Sequence, residues 1–167
     1  MTPEQQTRFD WANQSLNHVK SIVGKHLLRT ATIEEDRKQA TDLVLRIKNL
    51  AVSVRLRDSA KYLRYAEEFT VRTSAPAGYP SELDKIMSGN ADWMFYGFCT
   101  SGNSPVVWYI IDMHVFRQAL KDNQAGLITL NYMDRTNTDG SRFRAYKLNS
   151  FPKSMIIASS EMEKAAF

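Results

Sequence analysis

The sequence predicts a single α+β domain with a central mixed sheet, and three features of its 167 residues lead to this class. Apolar residues recur at steps of three or four between Phe9 and Leu27, which is typical of an amphipathic helix. Alternating or fully apolar runs between Thr41 and Met113 indicate strands. The 43% hydrophobic and 24% charged residues are typical of a globular protein that buries a sizeable core.

Residues 1–40 are predicted to form a helical N-terminal part. Thr2 is placed to cap the first helix, Pro3 suits its first position, and Gln5 completes a capping box. A second capping box, Thr32 with Glu35, predicts another short helix. One face of the first helix is apolar and is expected to lie on the core: Phe9, Ala12, Leu16, Val19, Val23 and Leu27.

Residues 41–113 are predicted to form the core sheet with one helix. Lys48-Asn49 separates two strand-like runs by two residues, which is the spacing of a hairpin. Ser81 is a suitable cap for the helix, and Gly89 closes it. The predicted elements in order are strands 41–47, 50–57 and 68–73, the helix 81–88, and strands 91–98 and 106–113.

Residues 114–167 are predicted to add a helix and a β-hairpin extension. Asp139-Gly140 between strand-like runs is a strong hairpin signal. The end of the chain, from Glu161, is expected to fray. The predicted elements are the helix 114–122, strands 127–132 and 143–148, and a last edge strand over 155–158.

Charge and composition limit the classes of function. The net charge of +4 and the pI near 9.2 permit an acidic partner such as nucleic acid, and they argue against a mimic of DNA. The single cysteine, Cys99, rules out an internal disulfide framework and is expected in a reducing cytoplasm. No apolar run approaches the ~20 residues of a membrane span, and the N-terminus has no apolar signal region. A cytoplasmic protein without membrane contact is therefore expected.

The order of helix, three strands, helix and strand over residues 3–98 resembles the αβββαβ core of the PD-(D/E)XK nuclease-like superfamily. Three segments also resemble uncharacterised proteins of phages and other mobile elements: 68–72, 81–85 and 92–97. This second similarity implies a phage-type origin and names no activity.

The nuclease resemblance implies a Mg²⁺ site, in which two carboxylates hold the metal and a lysine stabilises charge. On one strand, the position of the expected Glu-x-Lys motif is occupied by Ser53-Val54-Arg55, with Asp42 upstream as the first carboxylate. On the next strand, the position is occupied by Thr70-Val71-Arg72, with Asp58 upstream. Asp42 and Asp58 are the candidate metal ligands, although Asp42 also suits a strand start or cap. Neither strand supplies the second carboxylate, and arginine does not titrate in the working pH range.

The resemblance further implies that the missing catalytic pair can move to the following helix, where Glu82 and Lys85 stand three residues apart. These two are the candidate catalytic residues. The alternative is a surface helix pair that contributes a few tenths of a kcal/mol.

Arginines are the candidate nucleic-acid contacts. Arg55 and Arg57 share one face of a predicted strand, and Arg72 lies on the next strand along the chain, which is expected to be its neighbour in the sheet. A planar guanidinium group suits phosphate oxygens. The alternative to phosphate binding is that these arginines pair with acids close in sequence, namely Asp58, Glu67 and Glu68. Tyrosines near these arginines offer stacking surfaces for unpaired bases: Tyr62, Tyr65 and Tyr79.

Two functions from different classes follow. One is a nucleic-acid-binding protein, either a Mg²⁺-dependent nuclease or a catalytically lapsed derivative. The other is a non-enzymatic interaction module, such as a phage accessory protein that inhibits or recruits a host protein.

Overall fold

A four-stranded sheet lies at the centre of the computed structural model, which describes residues 3–30, 43–45, 50–75, 79–100 and 104–165. Its strands are β3 (Val52–Asp58), β5 (Trp93–Cys99), β6 (Pro105–Asp112) and β9 (Ile156–Ser159), in the order β3-β5-β6-β9. β3 is parallel to β5, and the other two pairs are antiparallel. The predicted mixed sheet and α+β class are therefore confirmed.

Alternation along β5 divides the core into two layers. Trp93 and Phe95 face the N-terminal helix α1 (Pro3–Leu27), where they pack with Val19 and Val23. The intervening side chains of β5 face away from α1 and belong to the larger part of the core, because successive residues of a strand point to opposite faces. Every residue of β5 is buried, as the apolar run predicts for a central strand.

A second, antiparallel sheet covers the face of the central sheet opposite α1. Its strands are β4 (Glu68–Arg72), β7 (Tyr132–Thr136) and β8 (Arg142–Lys147), in the order β4-β8-β7. Helices α3 (Glu82–Met87) and α4 (Met113–Gln124) complete this layer. Phe116 of α4 makes ring contacts with three other aromatic side chains of this layer, namely Phe69, Tyr146 and Phe151.

Strand pairing corrects one part of the prediction. The hairpin proposed for 41–47 and 50–57 is wrong, because β2 (Leu43–Leu45) pairs with β1 (Leu28–Thr30) in a separate sheet, while β3 pairs with β5. Likewise β4 is not the neighbour of β3 and pairs with β8. The alternating pattern defines the faces of a strand and leaves its partner open.

Several smaller elements lie where the sequence predicts them. The connection after β3 contains a short helix, α2 (Ser59–Tyr62), and a 3₁₀ turn, and the hairpin at Asp139-Gly140 joins β7 to β8. The strand predicted over 127–132 instead begins at Tyr132, and the frayed end predicted from Glu161 is helical in α5 (Ser160–Ala165). The predicted helix after Thr32 and the turn at Lys48-Asn49 lie outside the described residues. Two prolines and a glycine predict a loop over 74–80, and its residues 76–78 also lie outside them.

Over the ranges that the structure describes, no helix combines the length and the apolar character needed to cross a membrane.

Candidate functional site

A cleft of about 390 Å³ opens where β3 meets the second sheet. Among the described residues that line it, four are arginines: Arg55, Arg57, Arg72 and Arg135. We call it the arginine cleft. The structure thus brings together the three arginines that the sequence singles out, and it adds a fourth from β7.

Strand geometry explains why these side chains converge. Val52 and Leu56 of β3 pack towards α1, so Arg55 and Arg57 project from the other face of the central sheet. On β4, Phe69 and Val71 enter the core, and the alternate positions line the cleft: Glu68, Thr70 and Arg72. The arginines therefore meet across two sheets rather than on neighbouring strands of one sheet.

Arg55 is fixed by Glu82, which lies at the start of α3. The two side chains form an ion pair with 2.6 Å between Arg55 Nη2 and Glu82 Oε2, and the same oxygen accepts a hydrogen bond of 2.8 Å from the backbone N–H of Arg72. Arg55 also donates to the backbone carbonyl of Thr70 at 2.7 Å. Burial lowers the pKa of Arg55, the negative charge of Glu82 opposes this effect, and the guanidinium remains charged.

Arg57 is held by neutral groups. Its Nε donates to Tyr96 Oη at 2.8 Å, and its Nη2 donates to Thr70 Oγ1. The guanidinium carbon lies 5.4 Å from the centroid of the Tyr62 ring and 5.7 Å from that of Tyr96. Arg57 forms no ion pair with any residue that the structure describes, so its charge is oriented but not neutralised by a carboxylate.

Arg135 and Glu68 lie at the other end of the cleft. Arg135 Nη2 is 3.1 Å from Glu68 Oε1, which also lies 3.2 Å from Lys147 Nζ. The guanidinium of Arg135 lies 5.2 Å from the ring centroid of Tyr65. Glu68 is only 6% exposed, and its Oε2 has no hydrogen-bond partner in the described part of the chain. A buried acceptor without a partner is uncommon in proteins.

The rim of the cleft includes the turn between β7 and β8. Asp139 in this turn accepts hydrogen bonds from the backbone and hydroxyl of Ser141, which lower its pKa, and the charge of Arg72 lowers it further. Arg72 itself forms no ion pair with a described residue. Of the described residues that line the cleft, two are acidic, Glu68 and Asp139, against four arginines, so the cleft has a net positive charge.

Two of the candidate catalytic and metal-binding residues have protein partners of their own. Glu82 is bound by Arg55, and exposed Lys85 forms no ion pair within the described ranges, so the surface pair of Glu82 with Lys85 is not formed. Asp58 caps α2 by accepting from Ala60 N at 3.0 Å, and it lies 3.8 Å from Lys61. Asp42 lies outside the described residues.

A Mg²⁺ ion in a protein is usually held by one or two carboxylates, and waters and substrate phosphates complete its coordination. No group of three metal-ligating side chains comes together in the parts of the chain that are described. Glu82 and Asp58 are each engaged with protein donors. The Mg²⁺ site therefore stays a prediction that depends on Asp42.

Sequence reasoning missed several residues of the cleft. Tyr96 was expected only as core, and no local pattern marks Arg135 as a neighbour of β3. Pairing with acids close in sequence is the alternative for the arginines, but Arg55 pairs with Glu82, and Glu68 pairs with Arg135. Only the packing of the two sheets brings these groups together.

No protein-family model, no curated protein and no solved structure matches this chain.

Proposed function

We propose that this protein binds nucleic acid through the arginine cleft, with phosphate oxygens at Arg57 and Arg72. One observation carries the proposal: both guanidinium groups line a cleft of net positive charge, and neither forms an ion pair with a described residue. A guanidinium group without a carboxylate partner has N–H donors left for a phosphate. A surface arginine that is paired with an acid lacks these free donors.

The hydrogen bonds within the cleft support this assignment. Tyr96 and Thr70 hold Arg57 in one orientation, so less side-chain freedom is lost when a phosphate binds. Arg55 and Arg135 carry carboxylate partners and serve mainly to shape the cleft. We therefore assign the phosphate contacts to Arg57 and Arg72 rather than equally to all four arginines.

Catalysis is not required by this proposal. No hydrolytic step is derived from the described carboxylates, and a binding protein without nuclease activity is the form that we propose. The Mg²⁺-dependent nuclease remains a prediction with its own test. Incubation of plasmid and single-stranded DNA with the protein and Mg²⁺ or Mn²⁺ would reveal cleavage, and an inactive Glu82→Ala variant would assign it to Glu82.

Fluorescence anisotropy with labelled oligonucleotides tests binding. Strands of about 16 nucleotides cover the site size of a small binding domain. The affinity should fall steeply between about 50 and 200 mM salt, because phosphate binding releases counterions. The double variant Arg57→Gln/Arg72→Gln should bind at least about tenfold more weakly. The slope of log Kobs against log[salt] should be less steep by about 1.4, because each lost phosphate contact to a single strand accounts for about 0.7.

A matched control removes two charges elsewhere. Lys20 in α1 and Lys153 after β8 are exposed and do not line the arginine cleft, so Lys20→Gln/Lys153→Gln should retain most of the affinity. Equal losses in both double variants would contradict a site at the cleft. If the parent protein does not bind even at low salt, the proposal fails and the alternative, a protein-interaction module, is favoured.

A further inference from the structure

We infer that the arginine cleft binds an unpaired strand, with one base stacked on Tyr62 and its phosphate at Arg57 and Arg72. This inference rests on the proposed function and adds a class of ligand: single-stranded rather than duplex nucleic acid. It follows from the size of the cleft, from its aromatic wall and from the arrangement of charge along β4.

The size of the cleft favours a single nucleotide unit. Its volume of about 390 Å³ lies in the range of pockets that enclose a small ligand. The cleft has walls from both sheets, so a group that enters it is enclosed on more than one side. In a duplex the bases are stacked inside the helix, and only an unpaired base can enter such a space without being extruded first.

Tyr62 gives the cleft a stacking surface. It is 41% exposed although it lines the cleft, and Arg57 lies against its ring. Stacking on an aromatic ring tolerates any base, because every base has a π face. The ring next to the phosphate-binding arginine therefore suits a base whose own phosphate is bound by Arg57.

The charges along β4 give the bound nucleotide an orientation. Glu68 and Arg72 lie at the two ends of one strand face, about 13 Å apart at the rise of an extended chain. At the Arg72 end the guanidinium has no described ion-pair partner and is available to a phosphate, whereas at the Glu68 end the carboxylate already pairs with Arg135 and Lys147.

Three ligands of equal length separate the contributions of bases and phosphates: a single strand, the same strand with abasic sites throughout, and its duplex. Anisotropy at one low salt concentration should give the single strand an affinity roughly tenfold or more above that of the abasic strand and the duplex, as expected for stacking of a base. The Tyr62→Leu variant should lower single-strand affinity towards the abasic value and leave abasic binding unchanged. The Tyr62→Phe variant keeps the ring and should behave as the parent protein.

The outcomes distinguish this inference from the proposed function. The parent protein could bind all three ligands equally while Arg57→Gln/Arg72→Gln still loses affinity. This result would overturn the inference and leave the proposed phosphate binding intact. An equal effect of Tyr62→Leu on single and abasic strands would also overturn it. Failure of all three ligands to bind would overturn the proposed function, and the inference with it.

Discussion

Replacement of Glu82 by glutamine separates a structural role of this residue from a catalytic one. Glu82 connects α3 to both sheets through its contacts with Arg55 and with the backbone of Arg72. In Glu82→Gln the amide oxygen can still accept from the backbone of Arg72, but the charge opposite Arg55 is lost. The variant therefore tests the ion pair with little change in shape.

The solvent exposure of the Arg55–Glu82 pair sets the expected loss of stability in Glu82→Gln. The side chains of Arg55 and Glu82 are 24% and 23% exposed, between a buried and a surface pair. Removal of one partner of a buried pair costs about 3–5 kcal/mol, whereas an exposed pair contributes about 0–1 kcal/mol. We expect a loss of about 2 kcal/mol in the free energy of unfolding, or roughly 4–8 °C in Tm for a chain of this size.

Nucleic-acid binding should change in the opposite direction. The variant removes one negative charge beside the cleft, so the affinity for an oligonucleotide should rise severalfold at low salt. A catalytic role for Glu82 predicts instead that cleavage disappears while stability is nearly unchanged. Urea unfolding followed by tryptophan fluorescence, with anisotropy on the same samples, measures both quantities.

Glu163→Gln is the matched control. Glu163 forms a surface ion pair with Lys25 at 3.1 Å, with side-chain exposures of 33% and 61%, so its removal should cost less than about 1 kcal/mol. If the two variants lose the same stability, or if Glu82→Gln binds oligonucleotides more weakly than the parent, the role that we assign to Glu82 is refuted.

Four further predictions concern the core. Phe116→Ala removes a fully buried ring and should lower the free energy of unfolding by about 3–5 kcal/mol in urea titrations, and a loss below about 1 kcal/mol would contradict the packing described here. Gly97→Ala would place a methyl group 2.8 Å from a ring carbon of buried Phe95, and a loss of about 1–3 kcal/mol is expected in the same assay. Burial raises the pKa of the Cys99 thiol, so this thiol should react with a thiol reagent only as fast as the chain opens, and rapid labelling of the native protein would disprove its burial. The raised pKa of Cys99 contributes to the free energy of unfolding, and this contribution is fully present below the ordinary cysteine pKa of about 8.5. It should be lost as the pH rises above that value, and urea titrations at several alkaline pH values would detect the loss.

Local features of the fold were predictable because their causes are local. The capping box of Ser81 with Asp84 begins α3 where a cap was expected, and Gly89 and Gly140 adopt the positive φ that closes a helix or a hairpin. The apolar run of β5 correctly indicated a strand buried on both faces. Each of these signals lies within a few residues of the element that it specifies.

The partners of the strands were not predictable by the same reasoning. β4 pairs with β8, more than 70 positions further along the chain, and no pattern within either strand names the other. This pairing is what brings Arg135 to the cleft, and the packing of the sheets places Thr70 against Arg57 and Tyr96. The sequence thus indicated which arginines share a face of a strand, but not the groups that surround them.

The walls of the arginine cleft come from β3, α2, β4, β5 and the β7–β8 hairpin, which are far apart along the chain. Such a site exists only while the two sheets remain docked, so any molecule that occupies it must also shift the folding equilibrium. A ligand present at about 100 times its Kd would add about 2.7 kcal/mol to the free energy of unfolding. Thermal melting in the presence of a panel of anions, nucleotides and oligonucleotides could therefore identify the occupant without an assay for activity.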